Sequence, residues 1–579
     1  MDYTSFCYVF LFQEQDLVLP NEYSIFQPRS YFKGRNYSGN LLGNIYPYVA
    51  EYKNFDKDSI AKFDQNFSAN PTLFLKDFVG DFSFVYQQED CVILAARDHI
   101  GVFPLFYYQD DTMLVIGNDQ RLFLEIPGID LATDADWMGE FVTSKHELEE
   151  QTFYKHIKEV PPAHLLHFEN NKLTIERYWE LDVTHQQKDK TEEEFIQQFN
   201  DLLVQAIETR IPDGVHVGSE VSGGIDCTSV AAIAKLYLDK QQRPLFTYAH
   251  SAVDFETFSS EREAIATYLT HLKPTKNTFV PRNLEGMRSI ASHAFQLRNG
   301  VPHCHYALFS KDVYEAAKED KVSVVFSGLG GDHGVSYRGM GYVLNDLARA
   351  GKYSRLYKEL KYIHPRFSSR IMALLKLGIY NTLFKNAHIV KDLPEKHRLS
   401  KNDAIEKLKQ DFPQLANYKI KADKSHLRSI STQEHLKERV RQTELSFRCS
   451  RTTIAASHFG VLYRYPLLDI RLLQYFVSLP SYMYFQKGIN RYIFRQTIKK
   501  YVPSIAFQPK PPANMYGWIL ESYMFDYQNN KEYEVTINDE EMRLYVAYWR
   551  LRDEQCYKGN DYFKDITKLV GYKEENTTE

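Results

Sequence analysis

The chain has 579 residues, of which 44% are hydrophobic and 25% are charged, and its net charge is −5 at neutral pH. This length exceeds what one hydrophobic core usually serves, so two or more domains are expected. The small negative charge provides no basic field for nucleic acid or a membrane surface. No apolar run approaches the roughly 18 residues that a spanning helix needs.

The cysteines are far apart and form no CxxC pair. This spacing indicates neither a zinc site nor a disulfide framework, and we expect a cytoplasmic protein with reduced thiols. The apolar segment Phe6–Phe12 lacks a preceding basic region, so it is interpreted as a buried strand and not as a signal peptide. The six cysteines are Cys7, Cys91, Cys227, Cys304, Cys449 and Cys556.

Residues 1 to about 180 are predicted to be dominated by short strands, with few long amphipathic helices. Phe82, Phe84 and Tyr86 occur at every second position, as in a strand. Glycine and aspartate pairs supply turns between the strands. Further apolar strands are predicted at Val92–Ala96, Leu105–Tyr108 and Met113–Ile116.

The pattern changes after the polar linker at residues 185–190. Thr191 and Glu194 form a capping box before a helix with regular apolar spacing. Strand, loop and helix then alternate, which is typical of a parallel α/β sheet, and beyond about residue 340 the chain is predicted to be largely helical. Residues 385–430 are charge-rich and are interpreted as a solvated helical face, with a lid or a docking surface for an acidic partner as the alternative.

The strongest motif is a glycine loop that follows an apolar strand at Val215–Val221 and opens a helix. Paired glycines let the backbone approach an anion, and the free N–H groups of a helix start point toward it. Asp226 would repel a bare phosphate, which suggests a metal ion between them. A plain strand-to-helix turn is the alternative. The predicted nucleotide-binding residues are Val221, Ser222, Gly223, Gly224, Asp226, Cys227 and Thr228, with the hydroxyls of Ser222 and Thr228 as added donors.

A second glycine loop follows a second apolar strand, Val322–Phe326. Ligands of a parallel sheet bind beyond the carboxyl ends of its strands, so both loops can converge on one triphosphate. Asp226 and Asp332 are then predicted to share a Mg²⁺ that neutralises the departing pyrophosphate. The predicted binding residues of this second loop are Ser327, Gly328, Gly330 and Gly331.

These loops resemble the two glycine loops of the asparagine synthetase family, although Cys227 stands where the SGGxDS motif has its last serine. Three more segments resemble family motifs in the same order. Those segments are Gly80–Phe84 with Ala96–Gly101 and Pro104–Tyr107, then Gly460–Asp469, and finally Gln508–Lys510.

The resemblance implies an α/β protein of two parts. Residues 1–185 would form an Ntn-hydrolase-like αββα sandwich, a degenerate glutamine amidotransferase-like domain. Residues 191–520 would form a doubly wound parallel sheet of the PP-loop ATP pyrophosphatase type with a mostly helical C-terminal part. Residues 521–579 would be a C-terminal extension.

The resemblance also implies a chemistry. A substrate carboxylate attacks the α-phosphate of ATP to give an acyl-adenylate and pyrophosphate, and an amine then displaces AMP. Asp226 and Asp332 would hold the metal, and Lys510 would stabilise the developing negative charge.

Several departures from the family pattern narrow the possible sources of the amine. Glutamine-hydrolysing members carry a cysteine after the initiator methionine, whereas this chain has Asp2. Cys7 lies in an apolar strand, where a neutral thiol is expected, and Asp98 matches a glutamine-binding aspartate without its companions. The first domain is therefore expected to lack glutaminase activity. The amine would come from the substrate, as in β-lactam synthetases and, by closer motif resemblance, lasso-peptide cyclases.

The general base is left open by two further departures. Family members carry Glu or Tyr where Leu329 stands, and Ser450 lies near the position of another family Glu. A leucine side chain cannot take a proton, which leaves Glu444 as a candidate.

The expected substrates are a carboxylate-bearing small molecule or a precursor peptide. A leader-binding protein and a protease would be biosynthetic partners, and neither nucleic acid nor a membrane is expected. Three alternatives remain: an asparagine synthetase that uses free ammonia, a catalytically silent binding protein, and a tRNA-modifying enzyme of the same nucleotide-binding fold, which the acidic charge disfavours.

Overall fold

This computed structural model describes the residues that make up most of both halves of the chain. They are residues 4–12, 19–20, 22–27, 30–38, 40–52, 55–89, 92–142, 150–249, 259–280, 306–337, 340–364, 366–383, 406, 408–409, 412–419 and 431–508.

The N-terminal half is a sandwich of two antiparallel six-stranded sheets. Their strand orders are β10-β8-β9-β1-β3-β2 and β12-β11-β7-β6-β5-β4. The strands are β1 Cys7–Leu11, β2 Ser24–Gln27, β3 Ser30–Lys33, β4 Asn36–Ser38, β5 Leu41–Pro47, β6 Gly80–Glu89, β7 Val92–Arg97, β8 Phe106–Gln109, β9 Met113–Gly117, β10 Lys158–Glu159, β11 His164–Glu169 and β12 Lys172–Arg177.

Helices cover the outer faces of the sandwich. Phe63 and Phe67 of the helix Lys57–Ala69 share a core with Phe82 and Phe84 of β6, while Val85 lies in the core between the sheets. Successive residues of a strand point to opposite faces, so β6 is buried on both sides. The helices are Lys57–Ala69, Pro71–Asp77, Gln120–Phe123 and Ala135–Val142, with a 3-10 turn at Ala50–Tyr52.

The strand predictions for this half are confirmed, and the fold is the αββα sandwich that the family resemblance implied. The helical layer is underestimated by sequence patterning alone. The helix Lys57–Ala69 has 13 residues and only two buried side chains, Phe63 and Phe67. Two aromatic residues one turn apart form too short an apolar stripe to stand out in a polar sequence.

The second half is built on a parallel five-stranded sheet with the order β15-β14-β13-β16-β17. Its strands are β13 His216–Val221, β14 Leu245–Ala249, β15 Lys276–Phe279, β16 Val322–Phe326 and β17 Leu462–Arg464, and a small hairpin adds β18 Phe485–Gln486 and β19 Ile489–Asn490. The chain leaves β13 toward one edge and returns on the other side through β16. The switch point of this sheet, where ligands of such folds bind, therefore lies between β13 and β16.

Most of the described chain after β16 is helical, as predicted. The capping box at Thr191 is also confirmed, because its hydroxyl accepts from the Glu194 N–H at 3.2 Å and its own N–H donates to the Glu194 carboxylate at 2.7 Å. No helix within these described ranges is both long and apolar enough to cross a bilayer. The α-helices are Glu192–Glu208, Ile225–Lys240, Ser259–Leu272, Tyr306–Glu319, Met340–Arg349, Tyr353–Ile363, Phe367–Leu383, Thr432–Val440, Thr443–Ser457, Ile470–Val477 and Tyr492–Ile498.

The two halves share one hydrophobic core. Ile100, Val102 and Phe103, in the loop after β7, lie in the same buried cluster as the side chains around the parallel sheet. Asp98 holds this loop in shape, because its carboxylate accepts four backbone N–H bonds within the loop. The donors are Ile100 at 3.1 Å, Gly101 at 2.7 Å, Val102 at 2.9 Å and Phe103 at 2.9 Å.

We expect Asp98→Ala to lower the free energy of unfolding by about 3 kcal/mol or more, since it removes the acceptor of four buried backbone N–H groups and each such unpaired group costs about 1–3 kcal/mol. Urea denaturation followed by tryptophan fluorescence measures this change. Asp111→Ala, at an exposed turn of the same domain, is the control and should change stability by less than about 0.5 kcal/mol. Equal stability of the two variants would contradict the role of Asp98 as the organiser of this loop.

Candidate functional site

The first glycine loop connects β13 to the helix Ile225–Lys240. The helix begins after Gly224, which has no side chain with which to cap it. The N–H groups of its first turn are therefore oriented toward the loop opening, where a bound anion can satisfy them. Ser222 lies at the same opening, and its oxygen accepts from the Gly224 N–H at 3.3 Å.

Thr228 and Cys227 contribute less to this opening than their positions in the motif predict. The Thr228 side chain is buried, and its hydroxyl donates to the Gly224 carbonyl at 2.7 Å, inside the helix. Burial raises the pKa of the Cys227 thiol to about 12, so this group is neutral at physiological pH. The loop therefore relies on backbone donors more than on side-chain hydroxyls.

The second glycine loop lies directly against the first. A Cβ atom added at Gly328 would collide with the backbone nitrogen of Cys227, and one at Gly331 would lie 2.7 Å from Cγ of Asp226. At the second loop's turn, Gly330 has a φ of +92° and packs on Leu468. The structure thus brings the two loops into contact at the carboxyl ends of the parallel strands, as their positions after β13 and β16 predict.

A half-buried carboxylate joins the bases of the two loops. Glu220, in β13, accepts from the Ser327 hydroxyl at 2.7 Å and from the Tyr463 hydroxyl at 2.9 Å. Burial raises the pKa of Glu220, and the two hydroxyl donors oppose that shift. Both donors of Ser327 are therefore used within the protein, since its hydroxyl donates to Glu220 and its backbone N–H donates to the Arg464 carbonyl at 3.1 Å.

Arg491 joins the two aspartates that the sequence singles out. Its Nη1 donates to Asp226 Oδ1 at 3.1 Å, to Asp226 Oδ2 at 2.9 Å and to the Ser336 hydroxyl at 3.1 Å, and its Nη2 donates to Asp332. The Arg491 side chain is only 4% exposed, whereas that of Asp332 is 53% exposed. One guanidinium therefore spans two carboxylates where the two glycine loops meet, and we call this junction the cleft.

The same arrangement fits a divalent cation. Mg²⁺ in nucleotide sites is usually held by one or two carboxylates together with phosphate oxygens. Asp226 and Asp332 lie within the reach of a single guanidinium group. No cluster of three or more metal-ligating side chains occurs in the described part of the chain. Within the described residues, Asp226 and Asp332 are therefore the pair of carboxylates that could hold such an ion.

The residues considered for proton transfer are Leu329 and His333, in and directly after the second loop, and Glu444 and Ser450, on the helix Thr443–Ser457. Leu329 is half-buried and packs against the core, so it offers no base. Ser450 is buried and donates to the Phe447 carbonyl at 3.2 Å. Glu444 is half-buried in the first turn of the helix Thr443–Ser457. Burial and two nearby arginines lower the pKa of His333 to about 3, which leaves a neutral imidazole beside Asp332.

Lys510 lies outside the described residues, as does most of the basic segment 385–430. The described chain ends at Gln508, whose carbonyl accepts from Arg495 at 3.4 Å. Arg495 belongs to the helix that begins directly after Arg491. The last described residue before Lys510 is therefore tethered to the element that carries Arg491.

In the N-terminal sandwich, Cys7, Asn44 and Asp98 make contacts that stabilise the fold. Cys7 is fully buried in β1, and burial raises the pKa of its thiol to about 12, which confirms the expected neutral thiol. The Asn44 amide is paired with Thr4, accepting from its N–H at 3.0 Å and donating to its carbonyl at 2.7 Å. Both oxygens of Asp98 accept backbone bonds from its own loop.

Arg491 and Glu220 are the site residues that sequence patterning missed. Arg491 follows a short hairpin and has no spacing relation to either glycine loop. Glu220 is the residue directly before Val221, but the sequence gives no sign of its contacts with Ser327 and Tyr463 until the neighbouring strands are placed. Its position at the carboxyl end of the strand that feeds the loop is the one signal available.

Two family models match the chain. The asparagine synthase model matches residues 198–550, more than half of the chain, and the glutamine amidotransferase domain model matches residues 66–179. The first covers both glycine loops, and the second covers most of the sandwich strands from β6 onward.

Individual relatives match over shorter stretches. Asparagine synthetase [glutamine-hydrolyzing] 3 of Bacillus subtilis is 29% identical over 31% of this chain and 28% of its own length. Amidase chyE of Penicillium rubens is 27% identical over 28% of this chain and 24% of its own length. The matched region thus spans about a quarter of each relative.

Among solved structures, the glutamine phosphoribosylpyrophosphate amidotransferase of B. subtilis, complexed with ADP and GMP, is 11% identical. The match covers 55% of this chain and 63% of that one at a TM-score of 0.18, from which nothing follows for this protein. The match of the synthase model over more than half of the residues shows that the chain belongs to the asparagine synthase family.

Proposed function

We propose that this protein is an ATP-dependent ligase that activates a substrate carboxylate as its adenylate and couples it to an amine, without hydrolysing glutamine. The observation that carries this proposal is the contact between the two glycine loops, with Asp226, Asp332 and Arg491 grouped at the cleft they form. A triphosphate needs backbone donors, acidic metal ligands and a cation together, and this cleft offers all three.

In the first step, a carboxylate oxygen of the substrate forms a bond to the α-phosphorus of ATP while the bond to the pyrophosphate oxygen breaks. The first-turn N–H groups after Gly224 would hold phosphate oxygens in place, and Asp226 and Asp332 would hold the metal. Bound Mg²⁺ would neutralise charge on the leaving pyrophosphate. Arg491 carries a permanent positive charge at the same place, and Lys510 is proposed to add a second cation there.

In the second step, the amine nitrogen forms the amide bond, the bond to AMP breaks, and the amine loses one proton. Leu329 offers no acceptor for that proton, and Glu444 is the proposed alternative. The adenylate must be kept from water until the amine arrives. A single polypeptide or small molecule carrying both reacting groups would meet this need, which favours a ring-closing ligase of the lasso-peptide cyclase type with a precursor peptide as substrate.

The absence of glutamine hydrolysis is supported by the sandwich domain. A nucleophilic thiol must ionise, and burial holds Cys7 far from ionisation at neutral pH. The Asn44 amide and the Asp98 carboxylate form hydrogen bonds with the protein backbone. The second candidate is an asparagine synthetase that uses free ammonia. The name of the matched B. subtilis relative supports asparagine synthesis, although that relative is named as glutamine-hydrolysing.

Both aspartates at the cleft are expected to contribute to nucleotide binding. Asp226→Asn and Asp332→Asn should each weaken MgATP binding by roughly 10- to 100-fold, because a charge-assisted contact contributes about 1.5–3 kcal/mol. Isothermal titration calorimetry measures the affinity. Asp239→Asn, on the same helix as Asp226 but exposed and paired with Lys235, is the matched control and should bind as the parent does. Unchanged affinity in both site variants would overturn the proposed nucleotide site.

Arg491 is expected to compete with Mg²⁺ for the two carboxylates. Arg491→Gln removes the cation that joins the two carboxylates, so Mg²⁺ added without nucleotide should raise the melting temperature of this variant more than that of the parent protein. Differential scanning fluorimetry with and without Mg²⁺ gives the comparison, and K⁺ at equal ionic strength is the control. An identical response of both proteins would argue against a metal position between Asp226 and Asp332.

Glutamine hydrolysis and asparagine formation separate the candidate functions. With ATP and Mg²⁺ present, we expect no release of glutamate from glutamine above that of a Cys7→Ala variant, because the buried Cys7 thiol is not ionised. A coupled glutamate assay measures this. Glutamate formation that Cys7→Ala abolishes would refute the reading of the sandwich domain. Asparagine formation from aspartate, ATP and ammonium at an ordinary enzymatic rate, followed by mass spectrometry, would replace the ring-closing ligase with the second candidate.

A further inference from the structure

We propose that the N-terminal sandwich positions the second glycine loop of the ATP cleft, with Asp81 and Tyr48 acting as positioning residues through Arg464. This inference rests on the proposed function, because it gives the sandwich a role in the ligase reaction other than the supply of ammonia. It follows from an unbroken series of buried contacts that begins in the sandwich and ends at Ser327 and Gly330.

The series begins with a buried ion pair between the two halves of the protein. Asp81, in β6 of the sandwich, accepts from Arg464 Nη1 at 3.1 Å and also accepts from the Tyr48 hydroxyl. The guanidinium of Arg464 lies 4.5 Å from the ring centroid of Tyr46 and 5.6 Å from that of Tyr48. Arg464 is 1% exposed and Asp81 is 6% exposed, so water cannot take the place of either partner.

The backbone of Arg464 then holds the start of the second loop. Arg464 is the last residue of β17, and it pairs with Phe326 at the end of β16. Its carbonyl accepts from the Ser327 N–H at 3.1 Å. A shift of Arg464 would therefore move Ser327, and with it the Glu220 carboxylate that joins the two loops.

A parallel series of contacts holds the other end of the same segment. The guanidinium of Arg210 lies 4.0 Å from the centroid of the Tyr48 ring, and its Nη1 donates to Asp469 Oδ2 at 2.5 Å. Asp469 caps the helix Ile470–Val477, and the preceding Leu468 packs on Gly330 of the second loop. Tyr48 thus contacts the cations at both ends of the segment from Arg464 to Asp469.

Buried ion pairs of this kind specify a geometry more than they add stability. The two arginines and the two aspartates are each at most 6% exposed. Loss of one charge leaves its partner buried and unpaired, and the segment must shift to relieve that cost. Because the glycine loops approach within contact distance, a small shift of the segment is passed to the cleft.

The test compares two neutralised carboxylates of the same domain. Asp81→Asn breaks the pair with Arg464. Glu159→Gln is the matched control, since Glu159 is a buried carboxylate paired with the buried Arg97 at 2.9 Å but lies on β10, in the other sheet. Both variants should lose thermal stability. Only Asp81→Asn should weaken MgATP binding, by about 5- to 30-fold, a range typical of coupling between distinct sites. Tyr48→Phe should change it in the same direction by less.

Hydrogen–deuterium exchange of the nucleotide-free protein provides the second readout. Asp81→Asn should speed exchange at the amides of Ser327, Gly331 and Gly334, and Glu159→Gln should not. Equal exchange in the two variants would overturn the positioning role, whatever the protein binds. Failure of the parent protein to bind MgATP, with exchange still faster in Asp81→Asn alone, would instead refute the proposed function and leave the positioning of the loop established.

Discussion

Everything proposed for this protein depends on the close approach of two backbone loops. Gly328 and Gly331 allow the second loop to rest on Cys227 and Asp226 of the first, where any side chain would collide. This approach follows from the pairing of adjacent parallel strands, because the carboxyl ends of β13 and β16 lie side by side. Two loops in contact can surround one polyphosphate with backbone donors, whereas separated loops would bind two unrelated anions.

The charges around the cleft are arranged as closed pairs. Arg491 satisfies Asp226 and Asp332 at the mouth, and Arg464 and Arg210 satisfy Asp81 and Asp469 behind it. Neighbouring cations lower the pKa of the Asp469 carboxyl well below its usual range, so this group stays ionised. A ligand that brings its own negative charge must then be accompanied by a cation or must redirect Arg491, which fits a magnesium-bound nucleotide.

In the sandwich domain, three side chains serve the packing and the loop structure. Asp98 organises a loop that enters the shared core, Asn44 secures Thr4, and Cys7 is part of the packing. The domain also contributes Ile100, Val102 and Phe103 to the core of its neighbour, so its removal would expose apolar surface of the ligase half.

The sequence by itself determined the elements and the order in which they occur: the period-2 strand of β6, the capping box at Thr191, and two glycine loops at the ends of apolar strands. It also predicted the burial of Cys7. These features are local, since they depend on residues a few positions apart. Tertiary structure alone decided that one arginine, Arg491, joins both aspartates, that Glu220 ties the loops together, and that the hydroxyls of Thr228 and Ser327 are used within the protein. It also decided the pairing of Asp81 with Arg464, which are 383 positions apart. Such contacts depend on how distant elements pack, and no periodicity or spacing in the chain encodes them.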